Sequence, residues 1–489
     1  MRVSLIKVSA IEGDNLAPPL GMLSLAAVLE KAGHKVQFND IDPDFYDVTG
    51  RVEAFNPDLI GIGFLTNTCQ KSLNLIKKLK EKMPDKKYFG GGVHATTDPK
   101  GILETFGMDF IFSGEGENAL KEVCDRLESG KSIEGVRGIA YIEKGGFVEN
   151  GKGIPVENMD ELPFPARHLV DFEKLYLTYP GVIRGKWCKS TTMMTSRGCP
   201  YSCIYCGSHI TNSRRVRRRS VDNVITEIKL LIKDYGIEGI FFVDDIFALD
   251  HKWTLEFCDK IMKQKIKIIW ACQGRVDTVN ERVLIEMKKA GCVQMDFGVE
   301  SGSDRILKIL KKGATVAQTK EAFRLCKKVG IRSLATFIVN NPYETKEDLQ
   351  MTFDLAREIK PDFTTFFFST PFPGTELYEL AMKEGWFEKD KKYSDEWNIR
   401  NSEMPIMNMG TTLSANEIMR FRAKMQNHFF IRNYLRLSNV VIGMHFAFDF
   451  IKKPTLLGKA VGKVLKTGKI DQAFEIILIE NRLKILRSL

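Results

Sequence analysis

Long apolar runs are missing from this 489-residue chain. None reaches about 18 residues, the length a membrane-crossing helix needs, so no spanning segment is expected. Histidines number only seven, and ten cysteines are too few in a chain this long for a disulfide scaffold. That usage excludes the disulfide-rich secreted class and points to a reducing cytoplasm. The opening, MRVSLIKVSAIEGD, runs into an acidic turn, so no secretory signal is expected. No G-x-G-x-x-G follows an expected strand, which argues against an ordinary dinucleotide site. What is present is 44% hydrophobic residues, enough for the two or three packed domains this length predicts.

The richest stretch is SRGCPYSCIYCG, residues 196–207. Cys199, Cys203 and Cys206 fall at C-x3-C-x2-C, with Tyr205 before the last and glycines on both flanks. Thiolates suit zinc or iron–sulfur iron. Structural zinc sites close with four ligands, and no second cysteine pair or tight histidine pair stands nearby. Three thiolates in one loop leave a fourth position open.

Residues 1–150 alternate strands and helices. Strands are expected at 3–8, 35–40, 59–64, 88–92 and 110–112, with helices at 22–32, 70–83 and from 117 to about 126. This rhythm predicts βαβ units and a doubly wound parallel sheet. Ligands of such sheets sit at the carboxyl ends of the strands. The small and polar residues gather there: Pro18, Leu20 and Gly21; Thr66, Asn67 and Thr68; Gly91, Gly92, His94 and Thr96; Gly114, Glu115, Gly116 and Glu117. Glycines admit close backbone approach.

Residues 151–185 read as a linker, with a Gly-rich hairpin at its start (143–153) and an extended stretch at 158–167 stiffened by Pro163 and Pro165. The βα rhythm restarts over 186–385. Strands are expected at 191–195, 239–243, 266–270, 293–299, 333–339 and 364–369, with helices between. Six units predict a partial (β/α)6 TIM-like barrel, its reacting site at the carboxyl ends of the strands. There lie the Cys loop, Asp244 and Asp245, Gln273 and Arg275, and Glu300 and Ser301.

The Cys loop after an apolar strand resembles the signature of the radical S-adenosylmethionine (SAM) enzymes. The segments PPLGxxxLAAxLExAGHxV, PDLIGI, GGGVHAT and SGEGE resemble the cobalamin-binding domain of one subclass, and FGVESGSDRIL is typical of the same subclass. The resemblance covers nearly all of residues 1–150 and the barrel. It implies a [4Fe–4S] cluster on Cys199, Cys203 and Cys206, with SAM on its open iron. It also implies cobalamin on the N-terminal residues named above. The SAM contacts it implies are Tyr205 beside the adenine, Gly207, Asp244 or Asp245 at the amino group, Gln273, Arg275 at the carboxylate, and Glu300 with Ser301. Local alternatives stand beside these: Asp244 or Asp245 as a helix N-cap, Arg275 paired with Asp277, and His94 bonded to its own backbone. There is no D-x-H-x-x-G, so cobalt is expected without that histidine. The fifth-strand turn, NNPYET at 340–345, carries Asn340 and Tyr343 where the subclass has glycines, which puts adenine packing or substrate access there in question. Only Cys69 and Cys124 precede residue 150, too few for the second cluster of a methylthiotransferase.

The expected activity is reductive SAM cleavage to a 5′-deoxyadenosyl radical that takes hydrogen from an unactivated carbon, followed by cobalamin-mediated methyl transfer. Radical ring formation is the second reading, and a non-catalytic cobalamin or SAM sensor a third. Expected partners are a small-molecule substrate, with lipophilic ones known in the subclass, and an external one-electron donor of flavodoxin or ferredoxin type. Nucleic acid is not expected: the arginines at 214–219 lack interleaved aromatics. Net charge is +10, and residues 431–489 hold 11 Lys/Arg against 4 Asp/Glu. A helical C-terminal region at 386–489 is therefore expected to cap the barrel, its basic face either solvated or in peripheral contact with an anionic membrane.

Overall fold

The computed structural model describes residues 1–8, 17–40, 47–176, 182–186, 188–386 and 408–434. Residues 387–407 and 435–489 of the expected helical C-terminal region, including the apolar stretch at 440–451, the amphipathic helical segments at 456–465 and 470–486 and with them the membrane contact, lie outside the described residues. Among those described, no helix is long and apolar enough to cross a membrane.

The N-terminal sheet contains β1 (Arg2–Lys7), β2 (Lys35–Asp40), β3 (Leu59–Gly63), β4 (Lys87–Gly91), β5 (Phe110–Phe112), β6 (Ile139–Glu143) and β7 (Gly146–Glu149). Its order is β2-β1-β3-β4-β5-β6-β7. The first five pair in parallel, and β6 and β7 add an antiparallel hairpin. Apolar residues pack on both faces. Val3, Leu5 and Phe89 meet the helices Leu20–Lys31 and Glu117–Glu128, while Ile6, Ile60 and Ile62 meet Cys69–Lys82 and Pro99–Phe106. This is the doubly wound arrangement expected, with order reversing between β1 and β3. Two further helices, Val48–Phe55 and Pro99–Phe106, had not been expected. Both carry a local start signal: Asp47 accepts from Gly50 N, Asp98 accepts from Gly101 N, and Pro99 follows at the first helical position.

The second sheet contains β8 (Ser190–Met193), β11 (Gly239–Phe242), β12 (Ile269–Gly274), β13 (Cys292–Glu300), β14 (Arg332–Val339) and β15 (Phe363–Phe368). All pair in parallel and in sequential order, the open six-stranded barrel expected. Between β8 and β11 lies a short ribbon of β9 (Ser196–Arg197) and β10 (Arg217–Arg218). The third barrel strand is shifted from the expected 266–270. Lys265 is left-handed (φ 51°) and Ile266 N donates back to Ile261 O, closing the preceding helix first. The strand therefore starts at Ile269 and includes Gln273 rather than ending before it. The linker is also less free than its prolines suggest. It forms turns at Met159–Glu161 and Arg167–Leu169, and Arg167 is buried against Glu227 at 2.6 Å.

An open barrel leaves edge strands, whose unpaired amides invite pairing with other chains. At β15 the helix Ala415–Tyr434 answers with side chains. Gln426 Oε1 accepts from Phe366 N at 3.2 Å, and Arg422 Nε donates to Phe366 O at 2.7 Å. Phe366 is fully buried, so replacing both side chains with alanine should strand two main-chain groups, at about 1–3 kcal/mol each. The expected result is a lower melting temperature and concentration-dependent aggregation by light scattering.

Candidate active site

The Cys loop leaves β8 and β9 and is held by its own backbone. Ile204 N donates to Leu310 O at 3.1 Å, Leu377 N donates to Ile204 O at 2.9 Å, and Cys206 N donates to Cys203 O at 3.1 Å. Ile204 itself is buried with Ile306, Leu310 and Leu377. Cys199, Cys203 and Cys206 are partly exposed, while the other seven cysteines are buried. Burial pushes the Cys206 thiol up to about 11 and raises Cys199 as well. Such thiols ionise when a cation arrives to bind them. Among the described residues no three Cys, His, Asp or Glu converge on a single metal ion. A four-iron cube bonds each thiolate to a different iron, so three accessible thiols on one loop fit it.

Asp244 follows β11 and is buried. Its carboxylate accepts from Thr195 N at 3.1 Å, Thr195 Oγ1 at 2.7 Å and Ser196 Oγ at 2.5 Å, tying the base of the Cys loop to the next strand. Asp245 accepts from Ser208 Oγ at 2.6 Å, and burial raises its pKa. Neither is a helix cap, because Asp250 caps His251–Lys263. Asp245 is therefore the carboxylate left facing the loop, beside Gly207.

Arg275 lies over the Tyr201 ring, 3.4 Å from its centroid, with Nη1 3.9 Å from Cys203 Sγ. Its fork is engaged: Nε and Nη2 donate to Asp277 at 2.9 Å each, and Nη2 to Lys312 O at 2.6 Å. The pair with Asp277 is thus the one formed. Glu300 ends β13 in a left-handed conformation (φ 67°) after a bulge and pairs with Lys312 Nζ at 2.7 Å. Lys312 Nζ also lies 3.4 Å from the Tyr205 hydroxyl. Burial first, then the Glu300 charge, raises Tyr205 well above the usual phenol value, so it remains a neutral hydroxyl. Lys312 was not among the residues singled out from the sequence. Ser301 is buried in the following turn, its Oγ 3.2 Å from Thr352 Oγ1. Gln273 is exposed although its strand neighbours are buried, and it stands in register beside Asp296. Phe367 on β15 is likewise 41% exposed. Both face the open interior of the barrel.

The fifth-strand turn keeps the left-handed geometry that glycine would supply, with φ 63° at Asn340 and 56° at Tyr343. Tyr343 turns onto the returning chain and is 40% exposed. Its ring packs on Trp386 at 5.4 Å, its N donates to Met409 O at 2.8 Å, and Gly410 lies against it. It anchors the segment at 408–411. Below it, Glu344 is buried and accepts from Asn341 N and Nδ2. Burial pushes Glu344 up to about 7 from 4.5, against the pull of those hydrogen bonds. A carboxyl raised in the folded state adds stability below the unfolded value that is lost as pH rises through the folded one. Between pH 4.5 and 7 the parent should lose about 3 kcal/mol relative to its acid-side stability. Glu344→Gln should flatten that slope of melting temperature against pH.

The carboxyl edge of the N-terminal sheet meets the same mouth. The short helix Val93–Thr97 packs on Ser208–Asn212, and a Cβ on Gly374 would strike Thr97 and Ile210 together. On this edge Gly21 and Gly92 are exposed, Leu65 is 47% exposed, and nothing lies within 4 Å of a Cβ on Gly21. Gly92 needs its φ of 103° and has Phe64 O 2.8 Å from its would-be Cβ, so only glycine fits. Ser113 Oγ is buried there without a partner. An open glycine cradle with an unanswered hydroxyl fits a large ligand approached by backbone, as cobalamin would be. Pro18, Leu20, Asn67, Gly91, Gly114 and Gly116 border this edge. Thr68 is buried in its own turn, bonded to Leu65, and Thr96 joins Gly92 O to Gly114 N. His94 is a buried helix residue with Nδ1 3.1 Å from Thr66 Oγ1, a cross-loop bond rather than one to its own backbone.

Glu115 and Glu117 point the other way. Glu115 accepts from Arg217 Nη1 at 2.9 Å, Arg197 Nη1 at 3.2 Å and Val156 N at 3.2 Å, and pairs also with Arg217 Nη2. Glu117 accepts from Arg197 Nη2 at 2.6 Å. All four side chains are buried. They lock the first sheet to the ribbon that bears the Cys loop, and the carboxylates are not left for a ligand. Arg218 lies over Trp253 at 4.6 Å, and Arg219 pairs with Glu227 at 2.5 Å. Three of the five arginines in the run, Arg217, Arg218 and Arg219, are thereby engaged inside the protein.

Residues 193–356 match the radical SAM superfamily and residues 6–124 the B12-binding domain. An uncharacterised methyltransferase of Pyrococcus horikoshii is 35% identical over 370 residues, 75% of this chain and 78% of that protein. The chain belongs to the B12-dependent radical SAM enzymes. The cofactors of this class are a [4Fe–4S] cluster, SAM and cobalamin. Another relative of this radical SAM enzyme is the anaerobic magnesium-protoporphyrin IX monomethyl ester cyclase of Rubrivivax gelatinosus, 29% identical over 76% of this chain and 68% of that one. A third is the cytidylyl-2-hydroxyethylphosphonate methyltransferase of Streptomyces wedmorensis, 27% identical over 76% and 79%. The fold is shared with the radical SAM methyltransferase TsrM of Kitasatospora setae, with a TM-score of 0.65 at 20% identity over 78% of this chain and 75% of that one.

Proposed function

We propose that this enzyme transfers a methyl group to an unactivated carbon of a small-molecule substrate by a radical route. When bound, the cluster cleaves SAM reductively to methionine and a 5′-deoxyadenosyl radical, and cobalamin carries the methyl group. Cys199, Cys203 and Cys206 hold three irons. Asp245 accepts from the SAM ammonium, and the Tyr205 hydroxyl and the Lys312–Glu300 pair bound the site of its adenosine. Arg275 stays on Asp277 and stiffens the loop through Tyr201. The Gly21 and Gly92 cradle would hold cobalamin, with His94 kept in place by Thr66. Substrate lies over Gln273 and Phe367, where the barrel interior is open.

The observation that carries this reading is that the glycine edge of the first sheet and the Cys loop face one mouth. The helices Val93–Thr97 and Ser208–Asn212 are in contact across it. Residues of the glycine edge and of the Cys loop would then hold their two cofactors on either side of one substrate. Names of relatives support both this reading and ring formation: methyltransferases and a porphyrin-ring cyclase are among them. Anaerobic protein with SAM, cobalamin and a chemical reductant should give 5′-deoxyadenosine and S-adenosylhomocysteine. 5′-Deoxyadenosine alone would favour ring formation, and neither product would reject the radical reading.

A further inference from the structure

The Cys loop has an outer side that the chemistry above leaves unused. Pro200 and Ser202 are exposed on either side of Tyr201, and Arg214 and Arg215 are exposed beside them. Arg214 Nη1 donates to Tyr201 O at 3.1 Å, so its charge stands against the main chain between Cys199 and Cys203. Arg215 O comes within 2.3 Å of where a Cβ on Gly198 would be, and its guanidinium, 74% exposed, pairs at 2.8 Å with Glu157. Lys152 Nζ donates to Ile210 O at 3.2 Å, on the helix that starts just after Cys206. Three cations thus stand around the loop, with Glu157 paired to one of them, while Lys311 and Glu376, next to the residues that bond Ile204, pair with each other.

Surplus charge of one sign around a redox centre steers and orients a partner of the other sign. Nucleic acid fits less well, because it also needs aromatic faces for stacking, and the Tyr201 ring is covered by Arg275. We propose that the lip formed by Lys152, Arg214 and Arg215 docks a small acidic one-electron carrier of the flavodoxin kind. The proposal rests on the radical SAM reading, since a cluster there is what needs the electron. One electron leaves the anionic flavin hydroquinone, which becomes the neutral semiquinone, and reduces the oxidised cluster held by the three cysteines. No bond forms between the proteins and no proton moves.

The test uses the full-length, cluster-loaded protein with a bacterial flavodoxin as probe. Arg215→Glu should weaken flavodoxin binding about tenfold by titration calorimetry at low salt, and Arg215→Glu with Lys152→Glu should weaken it further. Added salt should weaken binding to the parent. 5′-Deoxyadenosine formed with flavodoxin should fall in step, while that formed with titanium(III) citrate, which needs no docking, should be unchanged. Unaltered flavodoxin affinity in both variants overturns the proposal. So does equal loss with titanium(III) citrate, which would make these residues structural supports of the loop. A single-stranded oligonucleotide that binds the parent and is lost in the variants, with flavodoxin binding retained, overturns it too. A parent that forms no 5′-deoxyadenosine with titanium(III) citrate fails at the radical reading itself, a result distinct from a docking failure.

Discussion

Cys203→Ala should abolish the visible absorption of the reconstituted iron–sulfur cluster and bring 5′-deoxyadenosine formation down to that of iron-free protein. The loop would survive the change. Its shape is set by Ile204 N on Leu310 O, Leu377 N on Ile204 O and the burial of Ile204, none of which uses the thiol. Cys203 is partly exposed, so no cavity opens when its sulfur is removed. Melting temperature should therefore barely move while cluster content collapses. Cys258→Ala is the contrast. That thiol is fully buried among Phe242, Phe257 and Ile261, and its loss should lower the melting temperature but leave iron content and SAM cleavage in place. Intact SAM cleavage in Cys203→Ala would remove the cluster assignment.

Glu115→Ala should destabilise the junction between the two sheets by about 3–5 kcal/mol, because it leaves the buried Arg217 guanidinium without its carboxylate. Arg197 keeps Glu117 at 2.6 Å, so the loss falls on the β10 side of the ribbon. Urea denaturation should change from one transition to two, and proteolysis should appear within the linker at 151–170. Cluster content should persist, since no cysteine contact is lost, but SAM cleavage and methyl transfer should become uncoupled as the glycine edge and the Cys loop drift apart. Replacing both partners, Glu115→Leu with Arg217→Met, should recover much of the stability, because an apolar pair leaves no buried charge unanswered. The pH dependence has a definite sign. Burial works to raise Glu115, but the Arg217 hydrogen bond and the charges of Arg197 and Arg217 outweigh it and hold the carboxyl below its usual range. Its contribution is complete above the unfolded carboxylate value and is lost as pH falls through the lowered folded one. The parent should thus lose this junction in acid, while the apolar pair should not.

Both sheets were legible from the chain because each unit announces itself locally. Thr315 and Gln318 box the start of Val316–Val329, and Ser220 caps Val221–Tyr235 with Gly236 closing it in left-handed geometry, all within a few residues of sequence. The two short helices of the first domain escaped because eight residues give too little periodicity, although Asp98-Pro99 was a readable start. In the candidate site, the placement of the three cysteines on one loop and of Asp245 after a strand end was legible from the sequence. Asp244 was legible as a polar strand end, but not as the clamp on Thr195 and Ser196. Tyr343 looked like an obstruction because a missing glycine signals lost space, whereas its direction onto Trp386 depends on where the chain at 386 and 408–411 returns.

The sequence by itself determined the two βα sheets, the thiol loop and the glycine-rich strand ends, because periodicity, caps and ligand spacing act over a few residues. Only the tertiary structure decided which of the loop carboxylates would be ligand edge and which would be lock. Glu115 and Arg217 stand 102 residues apart, and their pairing exists only because burial at the junction made an unpartnered charge costly on either side. The same meeting of surfaces turned three of the run's five arginines inward and left Arg214 and Arg215 outside, beside the cysteines that the spacing alone had already marked.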